Sequence, residues 1–417
     1  MLRNRLAYSY LVMGAALLLW CLPAQAHIIS AASCSQSDVQ NAINAASNGD
    51  RVIVPGGSCT WNQLDATTNL PIVTIPLTKY LTLDGGGATT VSGVIVFTAS
   101  PAQTGGLTRI TGFTFVGSGT NARSIYGYGC GGLNGCGGYL TSTWRIDHNT
   151  FSSPALAIFV EVIGNGPGLI DHNTFTGGAA SEMIHNMGML PEGLDSGWND
   201  DLVPGGSDML FVEDNSFTYP VTGTQDHSAY FSGTSAIQSY YGARTVFRYN
   251  KLYMVQIDQH GTPGAVGARW WEIYENDFYT VPYANQSNYM ALRAGSGVIF
   301  NNRQSGPTDG SVGVIELLEE DSDSPSLYQI GRGIFQNPSP AYLWNNAASM
   351  PVSSGSANVQ AGRDFFVSTT APATMVRWES SADNSATTYT YTPYTYPHPL
   401  QKVVGPAPPT GLTVIVQ

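Results

Sequence analysis

Charge is scarce in this chain. Only 11% of its 417 residues are charged, lysine occurs at Lys79, Lys251 and Lys402 alone, and the formal net charge is −12. Phosphate binding calls for a basic stripe, so nucleic acid is excluded as a partner. An acidic ligand would be repelled unless a cation or a local arginine cluster intervened. Heptads, long amphipathic helical patterns and apolar runs long enough to cross a bilayer are all missing after residue 26. These absences exclude a coiled coil and a spanning helix. Cysteine is sparse as well, at positions 21, 34, 59, 130 and 136.

The first 26 residues have the three parts of an export signal: Arg3 and Arg5, the apolar run Leu11 to Leu19, and the small-residue site Ala24-Gln25-Ala26. A secreted chain beginning at His27 is the expectation, with no membrane association once the leader is removed. Trp20 before Cys21 is too bulky for lipoprotein processing. The remaining Cys34, Cys59, Cys130 and Cys136 then sit in an oxidising compartment, where local pairs Cys34 with Cys59 and Cys130 with Cys136 are expected, and a zinc site is not.

What the chain has in abundance is a repeat. Six short apolar runs each end in asparagine: Ile146-Asp147-His148-Asn149, Ile170-Asp171-His172-Asn173, Val212-Glu213-Asp214-Asn215, Phe247-Arg248-Tyr249-Asn250, Ile273-Tyr274-Glu275-Asn276 and Val298-Ile299-Phe300-Asn301. The asparagines are separated by 24, 42, 35, 26 and 25 residues. An apolar residue recurs two positions later at Phe151, Phe175, Phe217, Leu252 and Phe278, the alternation of a short strand. A β unit of about 20 to 30 residues, too small to bury its own apolar side, stacks into a parallel β-helix. The asparagines are expected at one turn, as a ladder, because asparagine tolerates left-handed backbone angles and its amide can pair with its copy on the next coil.

Before the repeat, Asp38 to Ala46 reads as a short helix capped by Ser37 and closed by Asn48-Gly49-Asp50, followed by the strand Arg51 to Pro55 and the turn Pro55-Gly56-Gly57. This opening resembles that of the pectin-lyase-like superfamily of secreted right-handed parallel β-helices, in which a helix plugs the first coil. The resemblance covers residues 34 to about 320. It implies an all-β solenoid over 27–320, after the leader 1–26. A packing or capping segment is then expected over 321–400, with Tyr391 to Leu400 as an extended terminal motif, and a Pro-rich tail over 401–417.

The repeat also predicts which side chains share a face. Glu161, His185 and His227 each follow a marker asparagine by 12 residues, and His260 follows by 10, with Asp258 just before it. Arg293 follows Asn276 by 17, and Glu316 follows Asn301 by 15. Since strand neighbours alternate, Val160, Val162, Ile184, Ile257 and Leu292 should face the core, with Glu161, His185, Asp258 and Arg293 outside. Convergent ionisable groups in a chain this poor in charge mark a candidate site, although outward strand positions are polar in any case. Tyr240, Tyr241, Arg269 and Trp270 are the expected sugar-binding residues, with one of Trp270 and Trp271 exposed.

Two function classes follow. The resemblance implies a polysaccharide-active enzyme, first a lyase acting by β-elimination on a uronate-containing glycan, with Arg293 neutralising the carboxylate, His260 or His185 as base and Tyr240 or Tyr241 as acid. An inverting hydrolase using Glu161 and Asp258 is the enzymatic alternative. The other class is a non-catalytic adhesin or carbohydrate-binding stalk. If it is an enzyme, removing His260 or Arg293 is expected to lower turnover and spare the fold. Glu319-Glu320-Asp321-Ser322-Asp323 is either a Ca²⁺ site or a solvated acidic loop. The Asp147-His148 and Asp171-His172 pairs flank the turn and are read as structural. A monomer is expected.

Overall fold

The computed structural model describes residues 26–63, 72–76, 78–99, 106–117, 123–129, 143–154, 158–164, 167–178, 181–188, 202–220, 234–261, 266–279, 288–306, 313–320, 329–333, 337–378 and 386–402. Residues 1–25, which hold nearly all of the expected leader, together with Cys130, Cys136, His227, Asp321 to Asp323 and residues 403–417, lie outside them.

Short strands with one apolar face recur along the chain, and each pairs in parallel with its equivalent on the next coil. Val160–Ile163 lies against Glu182–Met187, Gly168–Asp171 against Leu210–Glu213, and Thr150–Ser152 against Thr174–Thr176. Every coil therefore contributes to three faces. The chain is a parallel β-helix. Its first face is a ten-stranded parallel sheet running from Ile72–Ile75 to Val352–Ser354. The other two faces meet at the asparagine corner and join in a nineteen-stranded sheet through the long strands Thr82–Ser92 and Leu107–Val116. Inside, Phe115, Phe151, Phe175 and Phe217 stack with successive centroids 5.1, 4.7 and 4.8 Å apart. No helix of the described residues is long and apolar enough to cross a membrane.

At the corner, the backbone N–H and Nδ2 of each asparagine both donate to Oδ1 of the next. From Asn149 to Asn173 the distances are 2.9 and 3.1 Å, and the pattern continues through Asn215, Asn250 and Asn276. The sixth rung is Asn302, not Asn301, and Asn346 adds a seventh. The left-handed residue is the one before each rung: His148, His172, Asp214, Tyr249, Glu275, Asn301 and Asn345 have φ of 51 to 58°. Asparagine is thus placed at the rung for its amide, which satisfies buried backbone groups, and not for its tolerance of positive φ.

The coils also run on past residue 320. Ala341–Trp344 and Phe365–Ser368 extend one face, and Val352–Ser354 extends the first sheet. Tyr342-Leu343-Trp344-Asn345 repeats the marker in the register of Val298-Ile299-Phe300-Asn301, but it stands alone, 44 residues farther on, so repeat spacing misses this end.

At the N-terminus the helix Gln36–Ala45 closes the first coil with Val39 and Ile43 buried, and Cys34 is bridged to Cys59. Its cap is Ser35, whose hydroxyl accepts from the Asp38 N–H at 3.3 Å, two residues ahead of the Ser37 cap expected from the pattern. At the other end, residues 386–402 lie along the outside of the sheet carrying Leu169, Phe211, Val246, Trp270 and Val298. Two inter-coil ion pairs lie beneath this strap. Arg248 meets Glu213 at 2.6 Å and donates to the carbonyls of Tyr394 and Thr395; Arg145 meets Asp171 at 2.7 Å and donates to those of Leu400 and Gln401.

Candidate active site

The register of the ten-stranded sheet sets Tyr126, Glu161, His185, Gln238, Asp258, Ala291 and Glu316 in one row across successive coils. The neighbours Val160, Val162, Ile184, Ile237, Ile257 and Leu292 all lie in the core, so this row faces outward. A second outward row begins where the strands end: Tyr240 pairs with Met187, and His260 and Arg293 directly follow the paired Gln259 and Leu292. Met183 and Ile184 are both core residues, which leaves Glu182 and His185 on the outer side together.

These side chains form a continuous chain of charge. Arg123 pairs with Glu161, whose Oε1 is 3.6 Å from His185 Nδ1, while His185 Nε2 is 3.6 Å from Glu182 Oε2. At 3.6 Å neither His185 contact is a hydrogen bond, and its Nδ1 is buried without one. On the far side Arg293 pairs with Asp258 and holds Glu320 at 2.9 Å, and His260 Nδ1 is 3.3 Å from Glu320. Burial would raise the Glu161 carboxyl, but His185 and Arg123 more than offset it and hold the group below its ordinary value. Glu182 goes the other way, pushed up by burial and by Asp258 and Glu161 against the opposing pull of His185 and His260.

Tyr240 joins the two halves. Its ring packs edge-on to His185 at 4.8 Å and stacks on His260 at 4.4 Å, and its hydroxyl donates to Gln238 Oε1. Burial, reinforced by Glu182 and Asp258, raises its phenol well above the usual tyrosine range. Tyr240 is therefore held as the neutral phenol, the form that still carries its proton.

Of the residues picked out by repeat spacing, Glu161, His185, Asp258, His260, Arg293 and Glu316 thus share one face, and Tyr240, expected there as a sugar-binding aromatic, joins them. Tyr241 adjoins it, 5.9 Å from Tyr240 and half-buried with φ 49°. Trp270 and Arg269 do not belong here. Trp270 is 1% exposed on the strap-covered sheet, with Nε1 bonded to Glu272, and Trp271 is 0% exposed in the core, so the expected exposed tryptophan is absent: the strap buries the outward one. Arg269, 3% exposed, immediately precedes the same strand.

The Glu161 and Asp258 pair also fails as hydrolytic carboxylates. Three coil steps separate them in the row, roughly 14 Å at about 4.8 Å per step, against the roughly 6.5–9.5 Å that an inverting pair requires. Sequence spacing missed Glu182, Gln238, Arg123 and Glu320. Gln238 is the true successor of His185, and the extra length between Asn215 and Asn250 displaced the count onto His227. Glu182 had no usable signal, since i and i+3 on a regular strand face opposite sides and only the inward turn of both Met183 and Ile184 brings it beside His185. Glu320, part of an acidic run in the sequence, is clasped by Arg293 and His260, while Glu319 accepts from Asn358. Among the described residues no three His, Cys, Asp or Glu side chains are grouped to hold a metal.

No family model and no curated protein matches the chain. Among solved structures, it is similar to the PL6-family alginate lyase AlyGC, with 12% identity and a TM-score of 0.36 over 89% of this chain and 57% of that one. An arginine-to-alanine mutant of the same lyase gives 12% identity and a TM-score of 0.39 over 92% and 59%. The chain thus spans less than two thirds of the length of the structures it matches.

Proposed function

We propose that this is a secreted polysaccharide lyase that cleaves a uronate-containing glycan by β-elimination on the outer face of the ten-stranded sheet. The observation that carries the reading is Tyr240 set between two imidazoles, with its phenol held neutral. His260 takes the proton from C5, beside the carboxyl group. The electron pair forms the C4–C5 double bond, the bond from C4 to the bridging oxygen breaks, and the Tyr240 hydroxyl protonates that oxygen. The phenolate then takes a proton from solvent and the protonated His260 gives one up to it, which closes the cycle. Gln238, bonded to the Tyr240 hydroxyl, is placed to meet the substrate carboxyl with its amide.

Arg293 is not available as a free cation, because Asp258 and Glu320 already share its charge. Among the described residues five carboxylates, Glu161, Glu182, Asp258, Glu316 and Glu320, share this face with two guanidinium groups, Arg123 and Arg293. This balance favours uronates whose carboxyl is esterified over a densely charged polyuronate. The leader at residues 1–26 supports export. Incubation with esterified and free pectin, alginate and glycosaminoglycans, followed by ultraviolet absorbance and mass analysis, tests the proposal. Products with an unsaturated uronate end support it. Saturated products would mean a hydrolase, and no cleavage of any glycan would favour a non-catalytic binding protein.

A further inference from the structure

The third face carries a pattern that the proposed chemistry does not use. Across six coils the outward residues of its strands form two rows: Ser58, Thr90, Thr114, Thr150, Thr174 and Ser216 in one, and Thr60, Ser92, Val116, Ser152, Thr176 and Thr218 in the other. Every position except Val116 bears a hydroxyl, all are exposed or half-buried, and none is charged in a chain of net charge −12. Beneath them the stacked Phe115, Phe151, Phe175 and Phe217 make the support rigid.

The fold does not demand hydroxyls at these positions. In the next three coils the first row continues as Lys251, Asp277 and Arg303, and the second as Tyr253, Tyr279 and Ser305. The hydroxyl array is thus a local property of the sequence, extending over five steps of about 4.8 Å with roughly 6.6 Å between its rows.

We infer that this face binds the surface of ice. A hydroxyl carries one donor and two acceptors, the closest side-chain match to a water molecule. A fixed two-dimensional array of them, about 4.8 Å by roughly 6.6 Å, holds water in a repeating layer, which is what a face of ice presents. Part of the entropy of ordering that water is then lost before ice is met. The uncharged face disfavours an ionic partner. The lack of aromatic rings over these six coils disfavours a glycan, since sugar rings dock on aromatic faces.

The intact protein should narrow the growth of a single ice crystal below its melting point and be enriched in slowly growing ice, where serum albumin is excluded. A Thr150→Lys/Thr174→Lys variant should lose both effects with an unchanged denaturation curve. A Lys251→Thr/Tyr253→Thr variant, which lengthens the array by one coil, should strengthen them even if the lysine variant folds poorly. Exclusion of the parent protein from ice would overturn the inference, as would full retention in a folded lysine variant or no gain in the lengthened one.

Discussion

Tyr240 and His260 come from successive coils, yet their rings stack at 4.4 Å, and Glu320 lies 3.3 Å from the same imidazole. One aromatic contact therefore holds a neutral phenol beside a histidine that touches a carboxylate, and this placement brings the proposed acid and the proposed base together on the outer face.

Arg293 is tied to the fold more tightly than its place in the repeat suggests. Asp258 is 1% exposed and depends on it. Arg293→Ala should destabilise the protein by about 3 kcal/mol or more, because a buried carboxylate is left unpaired. Urea melts check this. A neutral result would mean that Asp258 finds another partner, and the sequence-based expectation of an unaltered fold would stand.

The ladder makes a second stability claim. Asn173 Nδ2 donates to the carbonyls of Ile146 and Asp171, and its Oδ1 accepts from both Asn149 donors. Asn173→Ala should cost roughly 1 to 3 kcal/mol from the buried groups left unsatisfied. Denaturant midpoints unchanged from the parent would show that water replaces the amide.

Acid should loosen the same corner. Burial alone would raise the Asp147 carboxyl, but Arg109, at 2.7 and 2.5 Å, together with Arg145 and His148, holds it below its ordinary value. A folded-state value below the unfolded one gives stability that is complete above the unfolded value, about 3.9, and is lost as pH falls through the folded one. Melting temperatures should therefore drop on acidification below about pH 4, and more steeply in the parent than in Asp147→Asn. Parallel curves would remove Asp147 from the account.

The architecture was legible in the sequence because a β-helix repeats one local rule. Asparagine after an apolar run, with Phe151, Phe175 and Phe217 two positions on, needs no long-range information to be recognised. The register at Asn302 was not legible, since Asn301 and Asn302 are adjacent and only backbone pairing tells them apart. The candidate face was partly legible for the same reason. Counting from the ladder located His185 and Asp258 but failed across the insertion before Gln238, whose length the repeat does not encode. Trp270 misled because its burial depends on the strap, far away in sequence, and Glu182 was missed because Met183 and Ile184 both turn inward.

The central claim is that Tyr240 delivers the proton that completes glycan cleavage. The most direct measurement compares parent and Tyr240→Phe on a uronate glycan that the parent cleaves, following the absorbance of the unsaturated end and the melting temperature together. Phenylalanine keeps the ring on His260 and removes only the hydroxyl, so turnover should fall by about a hundredfold or more while the melting temperature stays within a few degrees. Turnover equal to the parent's in a folded Tyr240→Phe protein would contradict the account.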